Sequence, residues 1–191
     1  MPLGLDAQGR DRFTYVDGEV GVPPFPAWVL EDGALASTAR LLRRFHEATT
    51  SLSLGSDLPW DTAFAGAGGR VVGHNDVCPE NTVFRGGQAV AFIDFDLAAP
   101  TDPVLDLAHL LRMWAPLGVA EGPDRGTRLT ARMRSGVRAY GLAPGHALPE
   151  AMALSVDQAE RFVTSRLDRP DLTTGYFAQR RAELVEAASS L

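Results

Sequence analysis

Apolar residues recur along this chain in two rhythms. Near the middle they come in short runs, Val71-Val72-Gly73, Thr82-Val83-Phe84 and Ala89-Val90-Ala91-Phe92-Ile93. Such runs, rich in β-branched residues and separated by polar loops, predict three strands, with Arg85-Gly86-Gly87-Gln88 as a tight turn between the last two. Elsewhere the spacing is helical. Leu35, Ala39, Leu42 and Phe45 share one face of a helix from about Gly33 to about Ala48, with Asp32 as cap and Arg40, Arg43, Arg44 and Glu47 outward. Asp102 and Pro103 open a second helix to about Trp114, burying Leu107, Leu111 and Trp114, and Pro116 ends it. Leu129, Met133, Val137 and Tyr140 stripe a third, from about Asp124 to Tyr140, which Gly141 stops. Pro149 opens a fourth through about Asp168, carrying Met152, Val156, Ala159, Val163 and Leu167. A last helical stretch follows Pro170-Asp171, with Gly175 as its weak point. The chain therefore reads as α+β and mostly helical.

The N-terminal part lacks this clarity. From Met1 to Gly9 periodicity is weak, and Gly4, Asp6 and Gly9 suggest turns. Arg12-Phe13-Thr14-Tyr15-Val16 alternates like a strand, and Asp17-Gly18 closes it. In Gly21-Val22-Pro23-Pro24-Phe25-Pro26-Ala27-Trp28, three prolines forbid a helix or inner strand, so an extended connector that packs Phe25 and Trp28 is expected. Thr49 to Arg70 is rich in Ser, Gly and Asp. Its Gly66-Ala67-Gly68-Gly69 lacks phosphate-loop spacing and precedes a strand, so it reads as a connector.

The chemistry gathers around the strands. The loop His74-Asn75-Asp76-Val77-Cys78-Pro79-Glu80-Asn81 reads H-x-D-x-x-x-x-N, the third strand runs into Ile93-Asp94-Phe95-Asp96, and Asp102-Pro103-Val104-Leu105-Asp106-Leu107-Ala108 follows. Alone, an Asp-Asn loop is most often a turn held by local side-chain to backbone bonds. Order and intervals make the full set specific. It resembles the catalytic loop and metal-binding segment of the protein-kinase-like fold, H-R-D-x-x-x-x-N and D-F-G. Within that fold it looks like the aminoglycoside phosphotransferase and choline kinase-like family, which often carries D-P-x-x-D-L-A at this point. The proline-rich connector with H-N-D-V-C-P-E-N is similar to a compact branch labelled trifolitoxin-immunity-like.

This resemblance implies a kinase-like fold in which residues 1–30 are an N-lobe remnant, with hinge strand and connector, and residues 31–191 are the C-terminal lobe. It implies transfer of a phosphoryl group from ATP or GTP, with Mg²⁺, to a hydroxyl of a small molecule, aminoglycoside-like or an amino alcohol. Asp76 would be the base and His74 would orient the loop. Asn81 and Asp94 would hold the metal, the backbone at Tyr15 and Val16 would meet the base of the nucleotide, and Asp106 would brace the loop. His46 is read as structural and Cys78 as a small filler. The Gly-rich loop, strand lysine and glutamate-bearing helix of a kinase N-lobe are not among these residues. That leaves open a longer enzyme, a reduced N-lobe, or a binding or immunity protein that uses the old cleft without catalysis.

Composition adjusts this picture at a few points. A net charge of -6 argues against a nucleic-acid partner. All eighteen basic residues are arginine, so the lysine that kinases set against the α/β-phosphates is not in this chain. A single cysteine excludes an internal disulfide, and no Cys/His cluster has zinc spacing. With no leader pattern and no apolar run of bilayer length, a cytoplasmic protein without a membrane partner is expected. Arg125, Arg128, Arg132, Arg134 and Arg138 read as solvated surface, and Trp60 and Trp114 as core rather than a cation cage. Glu150, Asp157 and Glu160 read as surface, or as the acidic wall of a pocket for a cationic acceptor. The oligomeric state has no signature here.

Overall fold

The computed structural model describes residues 2–52, 58, 60–64, 69–143, 147–167, 169, 171–172 and 174–191. About half of the chain is helical, and among the described residues the strands form three two-stranded antiparallel sheets. The connector reading of Gly66-Ala67-Gly68 lies outside the described residues.

Helix α2 (Pro103–Trp114) is the axis of the core. It begins as its sequence dictates, with a proline at the first position and the Asp102 carboxylate accepting the Val104 N–H at 2.8 Å. Leu107, Ala108, Leu110, Leu111 and Trp114 are fully buried, so this helix is apolar nearly all round rather than along one stripe. Around it pack α1 (Asp32–Thr49), α3 (Arg125–Tyr140) and α4 (Leu148–Arg166), and α5 (Thr174–Ser189) lies against α3 and α4. The expected stripes hold on α1 at Leu35, Ala39 and Leu42, and on α3 at Leu129, Met133 and Tyr140. Gly141 stops α3 in the left-handed region, at φ 78°, as a glycine does at little cost. Helix α4 ends at Arg166, and Leu167, already extended, is exposed rather than part of its stripe.

Arg132 departs from the expected solvated face. It is buried and donates to the carbonyls of Leu30 and Ala115 and to the Asp32 carboxylate at 3.0 Å. Asp32 thus ties the start of α1 to α3, and its side chain does not cap α1.

The loop that reads H-x-D-x-x-x-x-N is held between two sheets. Strand β4 (Thr82–Arg85) pairs with β5 (Gln88–Phe92), and the turn residues Gly86 and Gly87 have φ of 56° and 74°, the two left-handed positions of a tight hairpin. Strand β3 (Val71–Gly73) pairs instead with β6 (Ala99–Thr101), which the sequence reading did not place and which carries Pro100, a residue that cannot donate to a ladder. A proline is tolerated in this pair because, among the described residues, β6 has β3 as its one partner strand and its other edge asks for no ladder donor. Gly73 leaves room where a Cβ would strike Thr101, Asn75 and Asp106, so the strand must end in glycine to bring the loop onto α2.

At the N-terminus the strand reading is corrected. Strand β1 (Pro2–Leu5) pairs with β2 (Asp11–Phe13), and Thr14-Tyr15-Val16 are not in a strand. A two-stranded ribbon offers no face to bury alternate residues: Leu3, Leu5 and Phe13 are exposed, and Tyr15 is 86% exposed. The connector does pack as expected. Trp28 packs against Phe84 with ring centres 4.7 Å apart and the rings tilted by 46°, and Glu19 bridges to Phe84 through paired backbone bonds.

Candidate active site

The site is assembled on one buried carboxylate. Asp106, in the first turn of α2, is fully buried and accepts the backbone N–H groups of His74 and Asn75, each at 2.8 Å. His46 on α1 lies 2.9 Å from the same carboxylate through Nε2, and its Nδ1 lies 2.7 Å from the Tyr140 hydroxyl. The tautomer that serves both contacts has Tyr140 donating to Nδ1 and Nε2–H donating to Asp106. Burial alone would raise the carboxyl's pKa. The hydrogen bond from His46, with the His109 and His74 rings nearby, overrides this and holds it below the usual carboxylate range. The bracing reading of Asp106 and the structural reading of His46 thus coincide in one network.

Fixing the two amides forces the loop through Asn75, whose φ of 64° is left-handed, a conformation that asparagine tolerates better than most residues. Asn75 then reaches the Leu97 carbonyl at 2.9 Å. His74, fully buried, donates from Nε2 to the Ile93 carbonyl at 3.0 Å, while the Ile93 N–H donates to the Asn81 carbonyl at 3.0 Å. The residue before Asp94 is therefore stitched to both ends of the loop. Phe95 completes the clamp, with its ring 4.6 Å from that of His74.

These constraints bring three of the expected site residues together. Asn81 donates from Nδ2 to the Asp76 carbonyl at 3.1 Å and to its carboxylate at 2.9 Å. That leaves the Asn81 side-chain oxygen as an acceptor. Burial pushes the Asp76 carboxyl above the usual carboxylate range and the Asp94 charge adds to this, while His74, Arg112 and the Asn81 hydrogen bond pull against it. Asp94 is exposed and sits at φ 61°, an uncommon backbone for aspartate. Non-glycine residues held in this region gather at functional sites.

A magnesium ion suits this donor set. Asn81 and Asp94 offer hard oxygen ligands, and Mg²⁺ is commonly held by one or two protein groups together with phosphate oxygens and water. Among the described residues no group of three or more His, Cys, Asp or Glu side chains is placed to hold a metal without such help. Tyr15 and Val16, outside any strand, have no backbone hydrogen-bond partner among the described residues. Cys78 is buried, and burial with the Asp76 and Glu80 charges pushes its thiol far up, so it is an inert filler.

Asp76 opens on a cavity of about 620 Å³ walled by Phe25, Phe64, Leu97, Met113, Phe162 and Phe177 among others. This is the volume of a site for a small organic molecule. Helix α4 turns Val156, Ala159, Phe162 and Val163 toward it, and not Glu150, Asp157 or Glu160. Those carboxylates sit on the surface, where Asp157 pairs with Arg181 at 2.9 Å. Trp114 is core, its indole N–H bonded to the Val77 carbonyl at 3.0 Å.

The sequence reading missed Arg112, which lines this cavity half-buried. The available signal was its place in α2: Asp106, His109 and Arg112 follow at intervals of three in an otherwise apolar helix. Ser155 on α4 joins the last two, accepting from Arg112 Nε at 3.1 Å and lying 2.8 Å from His109 Nδ1. Burial, then the Arg112 charge, brings His109 down to about 4, so it is neutral in the folded protein. The unfolded chain protonates the same ring near 6.5. Stability should thus be full above about pH 6.5 and fall by up to about 3 kcal/mol as pH drops toward 4, since the unfolded state binds the extra proton. Urea unfolding of the wild type and His109→Gln at about pH 7 and about pH 5 checks this, the variant showing the smaller loss between them.

Residues 57–140, which contain the H-x-D-x-x-x-x-N loop, Asp94 and the D-P-x-x-D-L-A run, match the phosphotransferase enzyme family. The chain is also 36% identical over 109 residues to a trifolitoxin immunity protein of Rhizobium leguminosarum bv. trifolii, an overlap covering 56% of this chain and 40% of that protein. The chain thus spans well under half the length of the curated relative it matches. Both matches fall on the family and branch that the motifs resemble, and residues 57–140 are similar to the phosphotransferase enzyme family.

Proposed function

We propose that the chain carries the catalytic lobe of a Mg²⁺- and nucleotide-dependent phosphotransferase that acts on a hydroxyl of a small molecule. One observation carries this reading most directly: Asp76, with its carboxyl pKa raised, is hydrogen-bonded to Asn81 and stitched through Ile93 to Asp94, at the mouth of a cavity of ligand size. Asp76 takes the proton of the acceptor hydroxyl as its oxygen bonds to the γ-phosphorus of ATP or GTP. The bond from that phosphorus to the β-bridging oxygen breaks, and the nucleoside diphosphate leaves. Asn81 and Asp94 would hold Mg²⁺, which supplies neutralisation of phosphate charge. His74 orients the loop without exchanging its own protons, since Nε2 is engaged with Ile93.

The backbone at Tyr15 and Val16, without a hydrogen-bond partner among the described residues, suits a nucleotide base, and residues 1–30 fit an N-lobe remnant with a C-lobe at 31–191. The kinase lysine is replaced by no other lysine, so phosphate positioning in this chain is weaker and turnover slow unless other groups supply it. Binding of ATP and of GTP is to be followed by calorimetry with and without Mg²⁺. Asp94→Ala should lose the Mg²⁺-dependent part of the affinity, at least tenfold, because a charge-assisted ligand is removed from the metal. Mg²⁺-independent binding, or binding unchanged in Asp94→Ala, would overturn the metal assignment.

A second reading is favoured by the similarity to an immunity protein: the cleft sequesters a toxic ligand without chemistry. It predicts ligand binding indifferent to Mg²⁺ and to replacement of Asp94.

A further inference from the structure

The charges around the cavity beside Asp76 are arranged for a particular kind of acceptor. Among the described residues, the acidic ones that line it, Asp76 and Glu80, both belong to the loop, and the walls are apolar. The other charged side chains that line it among the described residues are guanidiniums: Arg112 from α2, Arg180 from α5 and Arg169 from the connection before α5. Two are already engaged. Arg169 holds Asp171 through bonds of 2.8 and 2.7 Å, and Arg180 lies 3.4 Å from Glu183 and 5.6 Å from the centre of the Tyr176 ring.

Arg112 is different. Its donors go to the Ser155 hydroxyl at 3.1 Å and to the Met113 sulfur at 3.1 Å, and among the described residues it makes no ion pair. A thioether is a weak acceptor, and the Nη2 end has no hydrogen-bond partner there. A half-buried guanidinium with no carboxylate bonded to it among the described residues, facing a cavity, is a fork for an incoming carboxylate. Arg112 and Asp76 line the same cavity, so one small ligand can present its anionic group to the first and its reacting hydroxyl to the second.

We infer that the acceptor is a hydroxy acid with an apolar body, its carboxylate on Arg112, its hydroxyl at Asp76 and its hydrocarbon against Phe162 and Phe177. This rests on the phosphotransferase reading of the same site and narrows it, and it turns away from the cationic acceptor that an aminoglycoside or amino alcohol would be.

The test uses β-hydroxydecanoate and the same carbon chain with a neutral hydroxymethyl or a cationic aminomethyl group in place of the carboxylate. Binding to the full chain is followed by calorimetry without nucleotide, in the wild type, Arg112→Gln and Arg112→Lys. The carboxylate should bind best, by about tenfold or more over the other two. Arg112→Gln should weaken it by about ten- to a hundredfold while leaving the neutral compound unchanged, with Arg112→Lys in between because the charge stays and the fork is lost. A preference for the cationic compound, equal loss of all three in Arg112→Gln, or no binding of the carboxylate overturns the inference. Adding Mg²⁺ and ATP separates the two claims. Carboxylate binding without phosphoryl transfer sinks the phosphotransferase reading and leaves the ligand class standing. Transfer to the cationic compound does the reverse.

Discussion

Replacing Asp106 with alanine is expected to destabilise the fold by about 3–5 kcal/mol, the cost of removing one partner from a buried charged network. The carboxylate is fully buried and accepts from His74 N, Asn75 N and His46 at once. Its removal leaves two amides and an imidazole without their acceptor, and an unsatisfied buried donor costs about 1–3 kcal/mol. Against a total stability of about 5–15 kcal/mol this is a large share. Asp106→Asn should cost less, because its oxygen still accepts one of the amides. Equilibrium urea unfolding measures the loss, and amide exchange at His74 and Asn75 locates it. If the carboxylate organises the loop, those two amides lose protection first in Asp106→Asn, before the core amides of α2. A variant as stable as the wild type, with both amides still protected, would show that the loop holds itself.

The same residue shows how far the sequence could be read. Asp106 was legible because D-P-x-x-D-L-A follows the loop motif at a short interval and because Asp102 and Pro103 open a helix whatever surrounds them. The β4–β5 hairpin was legible for the same kind of reason, since two glycines in a row meet the demand for two left-handed residues. What stayed hidden depends on contacts between distant positions. Nothing local announces that Asp106 is joined to His46, 60 positions away, or that His46 meets Tyr140, 94 positions on. Strand β6 was masked by Pro100, whose missing donor argues against a strand until the sheet is known to have only two members. Arg132 and Arg112 were misread or missed because an arginine on a helix is by default solvated, and only packing of α3 and α4 against α2 brings these two inward. Tyr15 erred the other way. Its alternating context promises a strand, but alternation has meaning only where a sheet has a face to cover.

Asp76→Asn is expected to reduce phosphoryl transfer by about 10²–10⁴-fold, the range for loss of a general base. The fold should survive, because the new amide oxygen can still accept the Asn81 hydrogen bond that now spans 2.9 Å. That near-isosteric exchange separates proton acceptance from positioning. Calorimetry should find nucleotide and acceptor binding within a few-fold of wild type, as expected for a group whose role is realised only in the transition state. Asp76→Ala removes the Asn81 partner as well and should loosen the metal ligand, so it is expected to lose Mg²⁺-dependent affinity in addition to rate. A comparison of the two variants therefore divides the residue's chemical role from its structural one. Should Asp76→Asn turn over at the wild-type rate, the proton must leave by another route and Asp76 is not the base. Where neither wild type nor variant transfers phosphate yet both bind the acceptor alike, the cleft is a binding site, and the raised pKa of Asp76 is a consequence of burial beside Asp94 with no catalytic use.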